Sequence, residues 1–209
     1  MRFAELIEGL QGLGEVRGPM ASEIRELGCD SREIQAGWAF VALRGEHSDG
    51  AAFVPMVLER GAAAIFHQSE VVLPEDVSSA RLGADAASAR EQMARLARRV
   101  YGAPDEALAL MGVTGTNGKT TTTMLIRQLL QGAGIGCGLV GTVSIAAGSE
   151  EMEAVRTSPE SPVFYRWMRK AADAGDAAMA VEVSSHALCM GRVHGARFKV
   201  GLFTNLTQD

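Results

Sequence analysis

Short apolar runs alternate along this chain with stretches in which apolar residues recur at helical spacing. Residues 38–43 form an apolar run of strand length, 51–60 carry a helical pattern, and 62–66 are apolar again before polar residues resume. From 86 to 101, Met93, Leu96, Ala97 and Val100 fall at i, i+3, i+4 and i+7. This predicts a helix whose other face, carrying Arg95, Arg98 and Arg99, is solvated. Gly102, Ala103, Pro104 and Asp105 then break the helix, and a new apolar run starts at Ala107. A domain boundary is predicted there, giving domains 1–103 and 104–209.

In the second part, 107–113 reads as a buried strand, 119–131 as a helix stopped by Gly132, and 137–145 as one further strand. Ser161 followed by Pro162 predicts an N-cap with proline at the first helical position, opening a helix that runs to about residue 174. Apolar strands follow at 177–183 and 200–204. Strand, helix, strand, helix, strand is the rhythm of a parallel sheet with crossover helices. The fold class expected is α/β: a small α/β unit followed by part of a P-loop-type parallel-sheet domain.

Composition narrows the chemistry. The 209 residues are 47% hydrophobic and 22% charged, enough for one or two domains with real cores. The net charge of −5 has no basic block behind it, so nucleic acid is not an expected partner. Cys29, Cys137 and Cys189 are odd in number, far apart and not in CxxC pairs, which predicts small buried thiols in a reducing cytosol. Residues 1–14 lack the pattern of a signal peptide, and no apolar stretch approaches membrane-span length. A cytoplasmic protein without membrane insertion is expected.

Candidate chemistry centres on Gly115, Thr116, Asn117, Gly118, Lys119, Thr120 and Thr121, between a predicted strand and a predicted helix. Glycines let backbone N–H groups curl around an anion, a helix N-terminus adds positive potential, and the lysine adds a point charge. Thr120 is placed to offer a hydroxyl to Mg²⁺, with further hydroxyls through Thr123. Val113 stands where the common GxxxxGK[ST] form has its first glycine, and a bare GxxGKT also arises by chance, so the flanking elements carry much of the weight.

A second signal is Glu182, at the end of an apolar strand, followed by a polar rim of Ser184, Ser185 and His186. Open α/β sheets place ligands at such strand ends, and a carboxylate there can hold Mg²⁺. The local sequence leaves Glu182 open between that role and an ordinary solvated strand end. His186 reads as a helix-start or packing residue. No GxSxG elbow surrounds the serines, which argues against nucleophilic hydrolysis.

With these motifs in place, a family resemblance becomes visible. The segment from Gly115 to Thr121 resembles the ATP loop of the Mur ligases, the ATP-dependent ligases of cell-wall peptide synthesis. Glu182-Val183-Ser184-Ser185-His186-Ala187-Leu188 is similar to the matching segment of those members that add the third residue of the peptidoglycan stem peptide. Asp30-Ser31-Arg32, Ala42-Leu43-Arg44-Gly45 and Asp49-Gly50 resemble the family's UDP-substrate domain, and Thr157-Ser158-Pro159 its substrate loop. The resemblance covers nearly the whole chain.

It implies ATP and Mg²⁺ as cofactors, UDP-N-acetylmuramoyl-dipeptide and a diamino acid as substrates, and a monomer. Residues Gly115 to Thr121 would hold ATP, with Thr120 and Glu182 at the metal and Lys119, Thr120 and Glu182 as the catalytic group. Cys29, Ser31, Glu46, His47 and Ser48 would contact the UDP-muramoyl moiety, and Thr157, Ser158, Ser184 and Arg192 the dipeptide side. Met190 stands where relatives often have glutamine, and Ser158 where many have a second threonine. In the family, the segment matching the last residues runs on to His-Leu-Asp, a carbamylated lysine and an amino-acid-binding domain. The expectation is therefore that the 209 residues alone bind substrates with little or no ligation. On the residues alone, a P-loop kinase or NTPase and a non-catalytic nucleotide or UDP-sugar module stay open.

Overall fold

A strand buried on both faces needs cover on both sides, and each half of the chain provides it. The computed structural model describes residues 1–45, 48–154 and 157–207. The chain divides into two units, Met1–Val100 and Tyr101–Asp209.

The first unit comprises α1 (Phe3–Ile7), β1 (Val16–Arg17), β2 (Glu26–Gly28), β3 (Trp38–Ala42), α2 (Val54–Glu59), β4 (Ala64–His67), β5 (Ser78–Arg81) and α3 (Ala86–Val100). The sheet order is β1-β5-β4-β3-β2; β2 to β5 are parallel and β1 is antiparallel to β5. Every residue of β3 is buried. Ile34, Trp38, Phe40, Ala42, Val54, Val57 and Ile65 form one core cluster, which ties α2 to the sheet.

Two expectations change here. The helix expected at 51–60 is split into a 3₁₀ turn, Gly50–Phe53, and the short α2, with Pro55 in its first turn where no intrahelical N–H is needed. Of the three arginines on α3, Arg95 is exposed. Arg99 instead donates through Nη1 to the Leu6 and Glu8 carbonyls at 2.9 and 2.5 Å. It thereby satisfies carbonyls that a five-residue helix leaves open at its C-terminus.

The second unit comprises β6 (Ala109–Thr114), α4 (Lys119–Gly132), β7 (Cys137–Val140), β8 (Ser144–Ala147), β9 (Glu150–Glu153), α5 (Ser161–Asp173), β10 (Ala178–Glu182), α6 (Ser185–Cys189) and β11 (Phe198–Phe203). Its sheet runs β11-β6-β10-β7-β8-β9. The first four strands are parallel, while β8 and β9 fold back antiparallel. Met124, Ile126 and Leu130 of α4 pack with Cys137, Leu139, Ala178 and Ala180 on one face. On the opposite face, a Cβ at Gly138 would lie 3.4 Å from Ala171 of α5, so Gly138 is where α5 lies close to the sheet.

The single strand expected at 137–145 is a hairpin, in which Gly141 N–H donates to the Ser144 carbonyl at 3.0 Å. The apolar run concealed this turn. The helix expected to be capped by Ser161 is capped at Glu160. Glu160 has extended backbone and no side-chain cap bond, and Ser161 and Pro162 are the first two helical residues. Of the three cysteines, Cys137 alone is fully buried, and burial pushes its thiol pKa up. Cys29 is half-buried and Cys189 exposed, against the expectation of buried thiols. No helix among the described residues is long and apolar enough to cross a membrane.

Candidate functional site

Register sets the site. In the parallel pairing of β10 with β6, Glu182 lies opposite Val113, and β11 pairs Phe203 with Thr114. The carboxyl ends of three neighbouring strands therefore surround the turn that begins at Gly115, the edge where open α/β sheets bind ligands.

The turn needs both of its glycines. Gly115 has φ 132, and a Cβ there would stand 2.2 Å from Thr204 Oγ1 and 2.8 Å from the Asn205 carbonyl. Gly118 has φ 85 and is the N-cap of α4. Between them, Thr116 N–H donates to the Asn205 carbonyl at 3.0 Å and Asn117 N–H to Asn205 Oδ1 at 3.1 Å. Thr204 Oγ1 and Asn205 Nδ2 donate to the Asn117 carbonyl at 2.7 and 3.0 Å. Thr116 Oγ1 donates to the Thr207 carbonyl at 3.0 Å. The segment after β11 thus clasps the loop from outside.

Lys119 folds back over the turn, its Nζ donating to the Gly115 and Thr116 carbonyls at 2.6 and 2.9 Å. These acceptors are neutral, so the ammonium charge is uncompensated by them and lies at the N-terminus of a 14-residue helix. The following threonines diverge. Thr120 Oγ1 donates to Glu182 Oε2 at 3.0 Å. Thr121 is exposed, and Thr123 is buried with its hydroxyl on the Lys119 and Thr120 carbonyls. Thr120 alone of these meets the carboxylate, which narrows the expected row of hydroxyls to one.

Glu182 is only 1% exposed, which rules out the solvated strand end. Its Oε1 accepts from Thr142 N–H at 2.8 Å, and its Oε2 accepts from the Thr142 hydroxyl at 3.1 Å as well as from Thr120. Every donor is neutral. A buried carboxylate with no basic partner among these contacts is a group that a cation could compensate. Among the described residues no three His, Cys, Asp or Glu side chains converge. The donor set is one carboxylate and one hydroxyl, which suits Mg²⁺, an ion that keeps waters and takes its other ligands from phosphates.

Residues 157–192 complete this end of the sheet. Thr157 Oγ1 lies 3.1 Å from Thr142 Oγ1. Ser158 is buried, its hydroxyl donating to the Glu182 carbonyl at 2.9 Å and accepting from Ser184 N–H at 3.4 Å. Ser184 caps α6 through Ala187 N–H at 3.1 Å. Arg192 is buried and engaged: Nε and Nη2 donate to Glu160 Oε1 at 3.1 and 2.9 Å, and Nη1 to the Ser158 carbonyl at 3.1 Å. Its guanidinium braces the 158–160 segment. His186 is exposed in the first turn of α6.

In the first unit, the loops after β2 and β3 leave the same ends of two adjacent parallel strands. Cys29 is half-buried and Ser31 buried, and Arg60 Nη1 donates to the Ser31 carbonyl at 3.0 Å. Glu46 and His47 lie outside the described residues. Ser48 is exposed, and its carbonyl accepts from Gly45 N–H at 2.9 Å. Beside it, Ser69 Oγ donates to Asp49 Oδ2 and accepts from Arg44 Nε. The Ser69 hydrogen bond, with smaller help from Ala51 N–H and Arg44, holds the Asp49 carboxyl below its usual range.

Thr142, Glu160, Thr204, Asn205 and Thr207 are the site residues sequence reasoning missed. The first of these left one signal, a Gly-Thr pair interrupting an apolar run. The others act through contacts too distant in sequence to be read from it.

Comparison with known proteins addresses both units. The Mur ligase middle domain matches residues 113–209, and the catalytic domain of the Mur ligase family matches residues 23–101. The UDP-N-acetylmuramoyl-L-alanyl-D-glutamate--2,6-diaminopimelate ligase of Geobacter sulfurreducens is 43% identical over 209 residues, covering 100% of this chain and 40% of the relative. The chain thus spans about two-fifths of the length of the curated relatives it matches. A solved UDP-N-acetylmuramoyl-L-alanyl-D-glutamate--2,6-diaminopimelate ligase superposes with a TM-score of 0.77 at 23% identity, covering 100% of this chain and 41% of that one. The MurF ligase of Thermotoga maritima, solved in complex with ADP, gives a TM-score of 0.53 at 24% identity, covering 77% of this chain and 32% of that one. In sequence over both units and in fold, this chain belongs to the Mur ligase family.

Proposed function

We propose that the chain carries the nucleotide-binding and UDP-substrate-binding portions of an ATP-dependent ligase of peptidoglycan precursor synthesis. That ligase adds a diamino acid, meso-diaminopimelate or L-lysine, to UDP-N-acetylmuramoyl-L-alanyl-D-glutamate. The observation that carries the reading is the buried Glu182 carboxylate against Thr120 at the mouth of the clasped glycine loop. The names of the relatives favour diaminopimelate as the amino acid.

In this reading the D-glutamate carboxylate attacks the γ-phosphorus of ATP, and the bond to the β,γ-bridging oxygen breaks to release ADP. The amine of the incoming amino acid then attacks the acyl phosphate carbon, phosphate leaves, and the amine loses a proton. Gly115 to Thr121 hold the polyphosphate: the N–H groups at the start of α4 face its oxygens, those of Thr116 and Asn117 being held by Asn205, and Lys119 leaves the loop carbonyls for the phosphates. Thr120 and Glu182 would hold Mg²⁺, which would supply positive charge against that developing on the phosphoryl oxygens. No residue here needs to be a general base, since positioning and electrostatics carry most of phosphoryl transfer.

Thr157, Ser158 and Ser184 line the dipeptide side, next to the carboxylate they help to place. Arg192 and Ser158 are the assignments the geometry does not favour as direct contacts, because Glu160 and the Ser158 carbonyl already engage the guanidinium, and the buried Ser158 hydroxyl is taken up by the Glu182 carbonyl and Ser184 N–H. Cys29, Ser31, Glu46, His47 and Ser48 belong to the UDP-muramoyl side. We place the enzyme in the cytoplasm, where its nucleotide substrates are made, and as a monomer. The 209 residues bind both substrates, while product formation requires the greater length the relatives have.

Calorimetric titration of the 209-residue chain tests this. ATP with Mg²⁺ and UDP-N-acetylmuramoyl-L-alanyl-D-glutamate are each expected to bind with a stoichiometry of about one, as one-site pockets do. Binding of ATP with no binding of the UDP-dipeptide would overturn the ligase reading.

A further inference from the structure

We infer that Thr142, in the β7–β8 turn, is a positioning residue that orients the Glu182 carboxylate for the metal and links it to the 157–158 segment. The inference rests on the nucleotide reading above and adds to it a residue that neither the loop motif nor the strand-end carboxylate predicts.

Three observations carry it. First, Thr142 holds both oxygens of one buried carboxylate: its N–H donates to Oε1 at 2.8 Å, and its hydroxyl reaches Oε2 at 3.1 Å. Two donors from one residue fix the carboxylate plane as well as its place, which one hydrogen bond does not do. Second, the turn is shaped around that contact. A Cβ at Gly141 would stand 2.5 Å from Glu182 Oε1, so the residue before Thr142 has room for the carboxylate and none for a side chain. Third, the Thr142 hydroxyl stands between two groups of different purpose. Its one proton goes to the carboxylate, and its lone pairs are left to accept from the Thr157 hydroxyl 3.1 Å away. Thr120, Glu182, Thr142 and Thr157 are therefore one connected set of hydrogen bonds, running from the helix that follows the loop to the dipeptide side.

Thr120 alone cannot orient the carboxylate, because it bonds a single oxygen, Oε2. Without the Thr142 hydroxyl, Oε2 keeps only the Thr120 donor and Oε1 only the Thr142 N–H, so each oxygen is held by a single contact and the carboxylate turns more freely. A metal ion sampling that site then meets a ligand out of line, whereas phosphate contacts made by the loop are unaffected.

The test uses the 209-residue chain and its Thr142→Val and Thr142→Ser variants, titrated with ATP in the presence and absence of MgCl₂. Valine keeps the shape and the N–H and removes the hydroxyl; serine keeps the hydroxyl. Thr142→Val is expected to bind Mg·ATP about 10-fold more weakly, the size of one lost hydrogen bond to a charged group, with metal-free ATP changed less than about 2-fold. Thr142→Ser is expected to restore Mg·ATP affinity, and thermal melts of all three should coincide within a few degrees. Equal Mg·ATP affinity for wild type and Thr142→Val would overturn the inference and leave the nucleotide assignment standing. So would a loss that is the same without Mg²⁺, or one that serine does not rescue. A wild-type chain that binds no Mg·ATP overturns the nucleotide assignment itself and this inference with it.

Discussion

Thr120 and Glu182 are 62 positions apart in the chain, yet the threonine hydroxyl donates to the glutamate carboxylate at 3.0 Å. The pairing of β6 with β10 brings them together, because it sets Glu182 opposite Val113, two residues before the loop begins. Replacing Glu182 by glutamine keeps the size and an acceptor for Thr142 N–H while removing the charge. The expected outcome is a folded protein whose ATP affinity no longer rises when Mg²⁺ is added. Calorimetry at several Mg²⁺ concentrations checks this, and a variant with the wild-type Mg²⁺ response would remove Glu182 from the metal site.

The clasp formed by Thr204, Asn205 and Thr207 predicts that loop order depends on residues 87 to 91 positions away. Asn205→Ala removes the side-chain contacts to Asn117 and should raise amide exchange at Asn117 by at least about 10-fold, since the loop then opens locally without global unfolding. Gly115→Ala acts more severely, because its Cβ meets Thr204 and Asn205 at a positive φ. A loss of about 2 kcal/mol or more in unit-two stability is expected.

The Arg192 ion pair is a structural prediction. Its side chain is 8% exposed and that of Glu160 20%. Arg192→Met leaves a poorly solvated carboxylate behind and should cost about 3 kcal/mol, with part of it recovered when Glu160 is also made Leu. The chain has two tryptophans. With Trp38 replaced by Phe, Trp167 on α5 reports urea unfolding of unit two alone. A cost below about 1 kcal/mol, the level of a surface pair, would show that the brace does not matter.

His67 makes the first unit sensitive to mild acid. Burial holds its imidazole below the ordinary value, only partly offset by the Ser69 carbonyl 2.8 Å from Nδ1. A lowered folded-state pKa means that the unfolded chain binds the proton first. Stability is therefore full above the unfolded value of about 6.5 and falls as pH drops below it toward the folded value. With Trp167 replaced by Phe, Trp38 reports this unit. Urea midpoints between pH 7.5 and 5.5 should fall for wild type and change less for His67→Gln.

What the sequence discloses here depends on how local the determining contacts are. The β6, glycine turn and α4 arrangement was legible because apolar strand, positive-φ glycines and a striped helix lie within 25 residues of one another, as did the long helix α3. The short strands β1, β2, β5 and β9 were not. Ser78–Arg81 is Ser-Ser-Ala-Arg and β9 is Glu-Glu-Met-Glu, so pairing with neighbours defines them in place of apolar patterning. The β7–β8 hairpin was hidden because Thr142 N–H is satisfied by Glu182, forty residues later. Similarly, Arg99 and Arg192 looked like surface or ligand-facing cations until their acceptors, on α1 and at residues 158–160, were known.

The most direct test of the central claim, that the glycine loop with Glu182 holds Mg·ATP, is titration of Mg·ATP into wild type and Lys119→Ala under identical conditions. The account predicts saturable binding to wild type and at least a 10-fold loss in the variant, about what removal of one phosphate-facing charge in a partly buried site costs. Equal affinity of the two proteins would contradict it.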